Sequence, residues 1–496
     1  MSQHFPILIV LLPLSAALLS PFFSYFHRQA GKWVSVASLA GAFLCSVGLL
    51  MQTLQGGGQA IHYWFGNWEP PLGIEFVVDP LNGFVTVMIT FIALFTAIYS
   101  TPFLKKSNWL YMGGYYTLMS LLCVGLCGMT MTGDVFNLYV YLEIASLSGY
   151  GLIALGGNKG SLAAFRYLLI GTIAASLYLL AIGFTYGMTG SLNMADLGVL
   201  LQSQMDSPLI LMAVALLIAA LGIKAALFPF HGWQPDSYTF SHPGAAPLIA
   251  GAMAKVPMYA MLRFFFFIFG AQHLFVQHGL FVVGVLGALG IILGSVMAIA
   301  QDDFRRMLAY SSVAQIGYIA VGLAVGNLYG LIGAILHIIN HAIMKSSLFM
   351  VIGGIQYRFG EFRISQLGQI CKKMPLTVAV LVIAALGMIG IPPTNGFFGK
   401  WYIMLGAVQS EMYIYVAVLV LSTLLNAIYF FRVMENVFVN PPANLKEVNP
   451  VGKFELPLQM LIPIIIFGIA ILALGVYNGV LVNEIVKLGL PEVFLR

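Results

Sequence analysis

A chain of 496 residues that is 60% hydrophobic and 8% charged, with a mean hydropathy of +0.94, cannot cover its surface as a soluble globule, so lipid is its main solvent. The formal net charge of +5 comes from basic residues scattered singly through short loops, which does not suggest a nucleic-acid-binding surface. Cys45, Cys123, Cys127 and Cys371 are read as structural thiols. Cys123 and Cys127 lie four apart in an apolar helical run with no His or acidic residue to complete a metal set, and neither a metal nor a cofactor is expected.

A crossing helix needs about 20 apolar residues. The first window, 5–24, resembles a signal peptide but lacks a basic leader and a clear cleavage site, and more spans follow it; it is read as the first span. Further windows fall at 32–52, 79–101, 110–131, 135–156, 162–187, 208–229, 244–269, 277–299, 307–325, 328–354, 375–395, 412–435 and 457–478. The expected fold is an all-α polytopic membrane protein of about fourteen transmembrane helices in a single membrane domain, 1–496. Basic residues recur in alternate loops: Arg28 and Lys32, Lys105 and Lys106, Lys159, Arg305 and Arg306, then Arg358, Arg363, Lys372 and Lys373, and finally Lys446 and Lys453. The positive-inside rule then puts these loops in the cytoplasm and both termini on the outer side. The loop Gln234–Ser241 should share the basic side yet has no basic residue, which predicts that it packs into the protein.

Two spans carry helix breakers beside a lysine: Gly222-Ile-Lys224 with Pro229 and His231 in the seventh, and Gly390-Ile-Pro392-Pro393 with Gly396, Gly399 and Lys400 in the twelfth. A broken helix frees carbonyls that lipid cannot satisfy, and paired breaks in two halves point to a transport site. Pro and Gly are also simply tolerated in membrane helices, but the lysine beside each break favours the first reading. An offset of five spans is what inverted repeats of five helices would give, about 110–269 and 277–435, flanked by helices over 5–101 and 457–478.

A charge at mid-bilayer costs roughly 2.5–3.5 kcal/mol on insertion scales. Glu143, Lys224, Lys255 and Lys345 fall in apolar windows, Lys400 is read with the twelfth span just beyond its window, and all five must face the bundle interior, pair, or meet water. Glu143 either tethers two helices or tunes the proton affinity of a lysine, with Lys224 at similar depth as its natural partner. Lysine suits a proton shuttle because burial depresses its proton affinity and an opposing carboxylate restores it, whereas arginine stays charged. Arg166 and Arg263, nearer span ends, are expected to snorkel or ion-pair. His337, His341 and Lys345 repeat every four residues on one helix face. A His pair at this spacing can bind zinc, but no acidic ligand is at hand, and three titratable groups leading toward Lys400 fit a water-linked proton wire better. His231 and His242, flanking Trp233 and Asp236, either shape an entrance or pack a loop.

The segments Leu221–Pro235, Ile249–Lys255, Arg306–Tyr318, His341–Lys345, Gly390–Lys400 and Asp134–Glu143 resemble the antiporter-type subunits of respiratory complex I and of Mrp cation/proton antiporters, and the likeness spans nearly the whole chain. Gly73–Gly83 and Asn137–Tyr150 look closest to the D-type member of the Mrp antiporters, with the subunits of membrane-bound hydrogenases also similar. The resemblance implies fourteen helices, two inverted repeats with one half-channel each, and roles by position: Glu143 with Lys224 as a coupled pair, Lys255 with His337, His341 and Lys345 as a central relay, and Lys400 as the exit lysine. Family branches carry Lys or Glu at the Lys400 position, and some carry His at Gln315, to which no proton role is given. The implied protein is a transporter subunit without redox centres, set among other membrane subunits in a bacterial or archaeal cytoplasmic membrane, handling protons and with them Na+. The alternative is the same proton path in a redox-driven complex.

Overall fold

The computed structural model describes residues 2–360, 363–441, 445, 447–450 and 455–494; Lys446 and Lys453, counted among the basic loop residues, lie outside them. Helices follow the apolar windows closely: α1 (Phe5–Phe26), α2 (Ala30–Gln55), α3 (Pro80–Tyr99), α4 (Trp109–Met131), α5 (Val135–Ala154), α6 (Asn158–Thr189), α7 (Met194–Leu200), α8 (Pro208–Ala225), α9 (Trp233–Phe240), α10 (Ala246–Ile268), α11 (Leu274–Ile299), α12 (Phe304–Val325), α13 (Leu328–Phe359), α14 (Pro375–Ile389), α15 (Asn395–Gln409), α16 (Tyr413–Phe438) and α17 (Leu458–Val476). A two-stranded antiparallel hairpin, β1 (Ile61–Trp64) with β2 (Glu75–Val78), joins α2 to α3.

Among the described residues, twelve helical segments are long and apolar enough to cross a membrane, against about fourteen expected. The other two windows differ for visible reasons. One holds α5, whose Asn137, Glu143, Ser146 and Ser148 dilute its apolar character. The other, 375–395, holds α14 and ends where α15 begins; the two helices have 15 residues each and so are individually about 22 Å long against a hydrocarbon core of about 30 Å. Both expected breaks are present: α8 and α9 flank residues 226–232, and α14 and α15 flank residues 390–394. Ala226 at φ 58° ends α8 in a left-handed turn, and Gly390 at φ 94° ends α14.

Burial sorts the helices into an axis and a rim. In α13 the most apolar stretch is wholly buried, and α10 and α12 are nearly so, whereas α1, α2 and α16 bury only about one face. An all-round buried helix tolerates polar groups only if other helices partner them. This is where His337, His341 and Lys345 lie. The segment Gln234–Ser241, expected as a loop, is mostly helix α9, and it packs into the protein as its missing charges suggested: Gln234, Ser237, Tyr238 and Ser241 are all buried. Arg305, buried on α12, holds that segment by donating from Nη2 to the carbonyls of Tyr238 (3.1 Å) and Ser241 (2.8 Å).

Candidate functional site

The first cluster lies where α5 meets the last turn of α8. Glu143, Ser146 and Tyr150 are spaced three and four apart and share one face of α5. Lys224 reaches across to it: Nζ donates to Ser146 Oγ at 2.7 Å, to Glu143 Oε1 at 3.3 Å and to Tyr150 Oη at 3.5 Å. The lysine is almost wholly buried, while the Glu143 side chain keeps 27% of its exposure, so the pair is sealed on one side only. Lys224 also sits at a helix C-terminus, where the macrodipole favours a cation. The Trp233 indole donates to the Ile223 carbonyl at 2.8 Å and stacks on Tyr167 at 3.6 Å, closing the break over the lysine. A cavity of about 10 Å³, room for a single water, adjoins Lys224, Ser146 and Met129.

The central group is arranged along α13. Lys255 on α10 follows a π-helical turn, Ile249–Met253, and its ammonium donates to the Ala250 carbonyl within that turn. On α13, His337 Nε2 donates to Gln315 Oε1 at 2.9 Å, and the His337 and His341 rings stack with centroids 5.9 Å apart. Neither ring nitrogen of His341 meets a hydrogen-bond partner among the described residues. Lys345 Nζ donates to the Leu308 carbonyl (2.6 Å) and Ser311 Oγ (2.9 Å), and Ser311 also meets Tyr429 Oη at 3.0 Å.

The third cluster is at the second break. Lys400 on α15 turns back across it, donating to the carbonyls of Met388 (2.7 Å) and Ile389 (3.0 Å) at the end of α14. Its ammonium stands 4.8 Å from the Tyr318 ring centroid, and Tyr318 stacks on His337 at 5.2 Å. Close approach of α15 to α13 depends on Gly399, where a Cβ would lie 3.1 Å from His337 Nδ1. The order along the axis is therefore Lys345, His341, His337, Tyr318, Lys400. The lysine at the first break is on the half-helix before it and that at the second on the half-helix after it, so the two breaks are alike in kind and different in wiring.

The arginines nearer span ends are ion-paired. Arg166 meets Asp236 at 2.8 Å, Arg306 meets the same carboxylate at 3.4 Å, and Arg263 pairs with Asp79. His242 packs against Tyr115 and Phe103 and accepts from the Gly244 amide at 3.1 Å, which fits loop packing; His231 stacks on Phe228. Cys123 and Cys127 are buried free thiols 3.9 Å apart. Beneath the β-hairpin a larger cavity, about 270 Å³, is lined by Glu75, Asp79, Arg263 and Met129. Met129 thus borders both this cavity and the small one at Lys224.

Sequence reasoning passed over Ser146 and Tyr150, which hold Lys224, and Tyr318, which joins His337 to Lys400. The i, i+3, i+7 spacing from Glu143 was a usable signal for the first two; nothing local marks Tyr318. Gln315, given no proton role, is the partner of His337.

Interrupted helices around buried lysines, in an all-helical membrane bundle, define an ion-translocating membrane subunit as a class. Residues 132–426 match the family described as NADH:quinone oxidoreductase/Mrp antiporter, TM, and the chain belongs to it. It is 45% identical, over 99% of both chains, to the N subunit of the NADH-quinone oxidoreductase of Desulforudis audaxviator. It is 30% identical, over 95% of this chain and 94% of the relative, to the D component of the Na(+)/H(+) antiporter of Alkalihalophilus pseudofirmus. Among solved structures, the membrane-bound sulfane sulfur reductase, an archaeal respiratory membrane complex, matches with TM-score 0.89 and 27% identity over 98% of this chain and 96% of that one. The Mrp complex from Dietzia sp. shares the fold at TM-score 0.88, with 24% identity over 99% and 97%.

Proposed function

We propose that this chain is a proton-translocating subunit of a multi-subunit membrane complex, a cation (Na+)/proton antiporter of the Mrp type, in which protons pass along Glu143, Lys224, Lys255, His337, His341, Lys345 and Lys400. The observation that carries the reading is the buried series itself: three lysine clusters, each ammonium held by neutral acceptors or by one carboxylate, strung between two broken helices. Such groups exchange protons and repel metal cations, so the Na+ of the complex takes another route. Water in the cavity beside Lys224 would solvate that ammonium, and Met129 stands between it and the cavity beneath the β-hairpin. The two units, 110–269 and 277–435, act as inverted repeats, each with its interrupted helix in the fourth position. The basic loops face the cytoplasm and both termini the outside, in a bacterial or archaeal cytoplasmic membrane. The chain itself performs no redox chemistry.

Replacing Glu143, Lys224 or Lys400 by Ala should abolish proton-coupled antiport in vesicles carrying the whole complex while the complex still assembles; full activity in all three variants would sink the proposal. The 45% identity to a subunit of an NADH-quinone oxidoreductase favours a second reading, in which redox chemistry in partner subunits drives the same path. Co-purification decides between them: small membrane subunits alone support the antiporter, and an iron–sulfur partner supports the redox complex.

A further inference from the structure

Far from the lysine series, on the face that carries the basic loops, a cavity of about 190 Å³ opens between the start of α2 and the start of α17. Lys32, Lys105, Gln29, Gln459, Tyr116 and Tyr357 line it, and no acidic residue is among the described residues around it. Lys32 is 94% buried, since only 6% of its surface remains accessible. Its ammonium has no hydrogen bond or ion pair among the described residues and lies 4.2 Å over the Trp33 ring. It also sits in the first turn of α2, where the macrodipole opposes a cation. Neither α2 nor α17 has a side-chain cap at its N-terminus, so two helix starts with spare amide donors converge on the same space as an unpaired lysine. Every electrostatic feature here asks for an anion. Its depth is fixed by exposed aromatics, Tyr25, Trp33 and Trp109, which mark the headgroup level on this face.

We propose that this cavity is a binding site for the phosphate of an anionic phospholipid headgroup, held by Lys32 and Lys105 together with the amide ends of α2 and α17. Basic pockets between helices at the headgroup level recognise such lipids. The site does not depend on the proton reading, because none of its residues belongs to that series.

The test is native mass spectrometry of the purified full chain in detergent, incubated with phosphatidylglycerol, with phosphatidylcholine, or with inorganic phosphate. The expected result is retention of phosphatidylglycerol over phosphatidylcholine, with occupancy reduced about tenfold in Lys32→Gln, the scale of one lost charge-assisted hydrogen bond. Lys105→Ala should weaken binding less, because Lys105 is exposed. Lys106→Ala, an exposed neighbour outside the cavity, should leave it unchanged. Equal retention of phosphatidylglycerol by the native chain and Lys32→Gln would overturn the proposal, as would binding of inorganic phosphate with no preference between the lipids.

Discussion

The two broken helices hold the same kind of side chain by different means. At the first, Lys224 is met by the Glu143 carboxylate, a hydroxyl of Ser146 and the phenol of Tyr150. At the second, Lys400 has no carboxylate partner among the described residues and leans on the last carbonyls of α14. An ion pair favours the charged lysine strongly, and its hold depends on where the carboxylate is. Two carbonyl dipoles make a weaker and fixed cradle. The first site thus holds its lysine partly through a charge, and the second through dipoles alone.

The contrast can be broken most severely at its stronger end. Lys224→Ala should abolish transport and leave Glu143 without its partner, which for a buried pair costs about 3–5 kcal/mol, here toward the lower figure because Glu143 keeps some exposure. Proton flux and thermal unfolding of the purified complex check both parts. At the weaker end, Lys400→Gln keeps a donor for the Met388 and Ile389 carbonyls, so the complex should assemble normally while transport is lost. Lys400→Glu faces an ionised carboxylate with those carbonyls and should in addition lower the folded yield, read by fluorescence-detected chromatography. Gly399→Val tests the contact between α13 and α15: a side chain there meets His337, and proton flux should fall while the Glu143–Lys224 pair at the other break stays intact. The smallest effect is expected for Ser146→Ala, which removes one of three hydrogen bonds to the Lys224 ammonium, worth about 1.5–3 kcal/mol for a charged donor, and should slow transport by about ten- to a hundredfold.

Much of this arrangement is legible in the chain. The apolar windows, the two proline and glycine breaks and the misplaced charges follow from the thickness of a bilayer and the cost of ions within it, and each is visible one residue at a time. The pairing of Glu143 with Lys224 was readable because both lie within apolar windows at similar depth. The burial of Gln234–Ser241 was readable from a charge that is missing.

What the chain alone could not settle depends on which residues meet across helices. The course of the axis, in which the His337 end and not the Lys345 end of α13 faces Lys400, is set by the glycine contact between α13 and α15. The role of Tyr318 as the link between them, and the carbonyl cradle of Lys400, come from packing between separate helices or across a break. The sequence by itself therefore determined that ions are buried, how deep and beside which breaks, since those depend on local hydropathy. Beyond the pairing of Glu143 with Lys224, only the tertiary structure decided who partners whom, because a hydrogen bond is a matter of a few tenths of an ångström between helices that the sequence does not place.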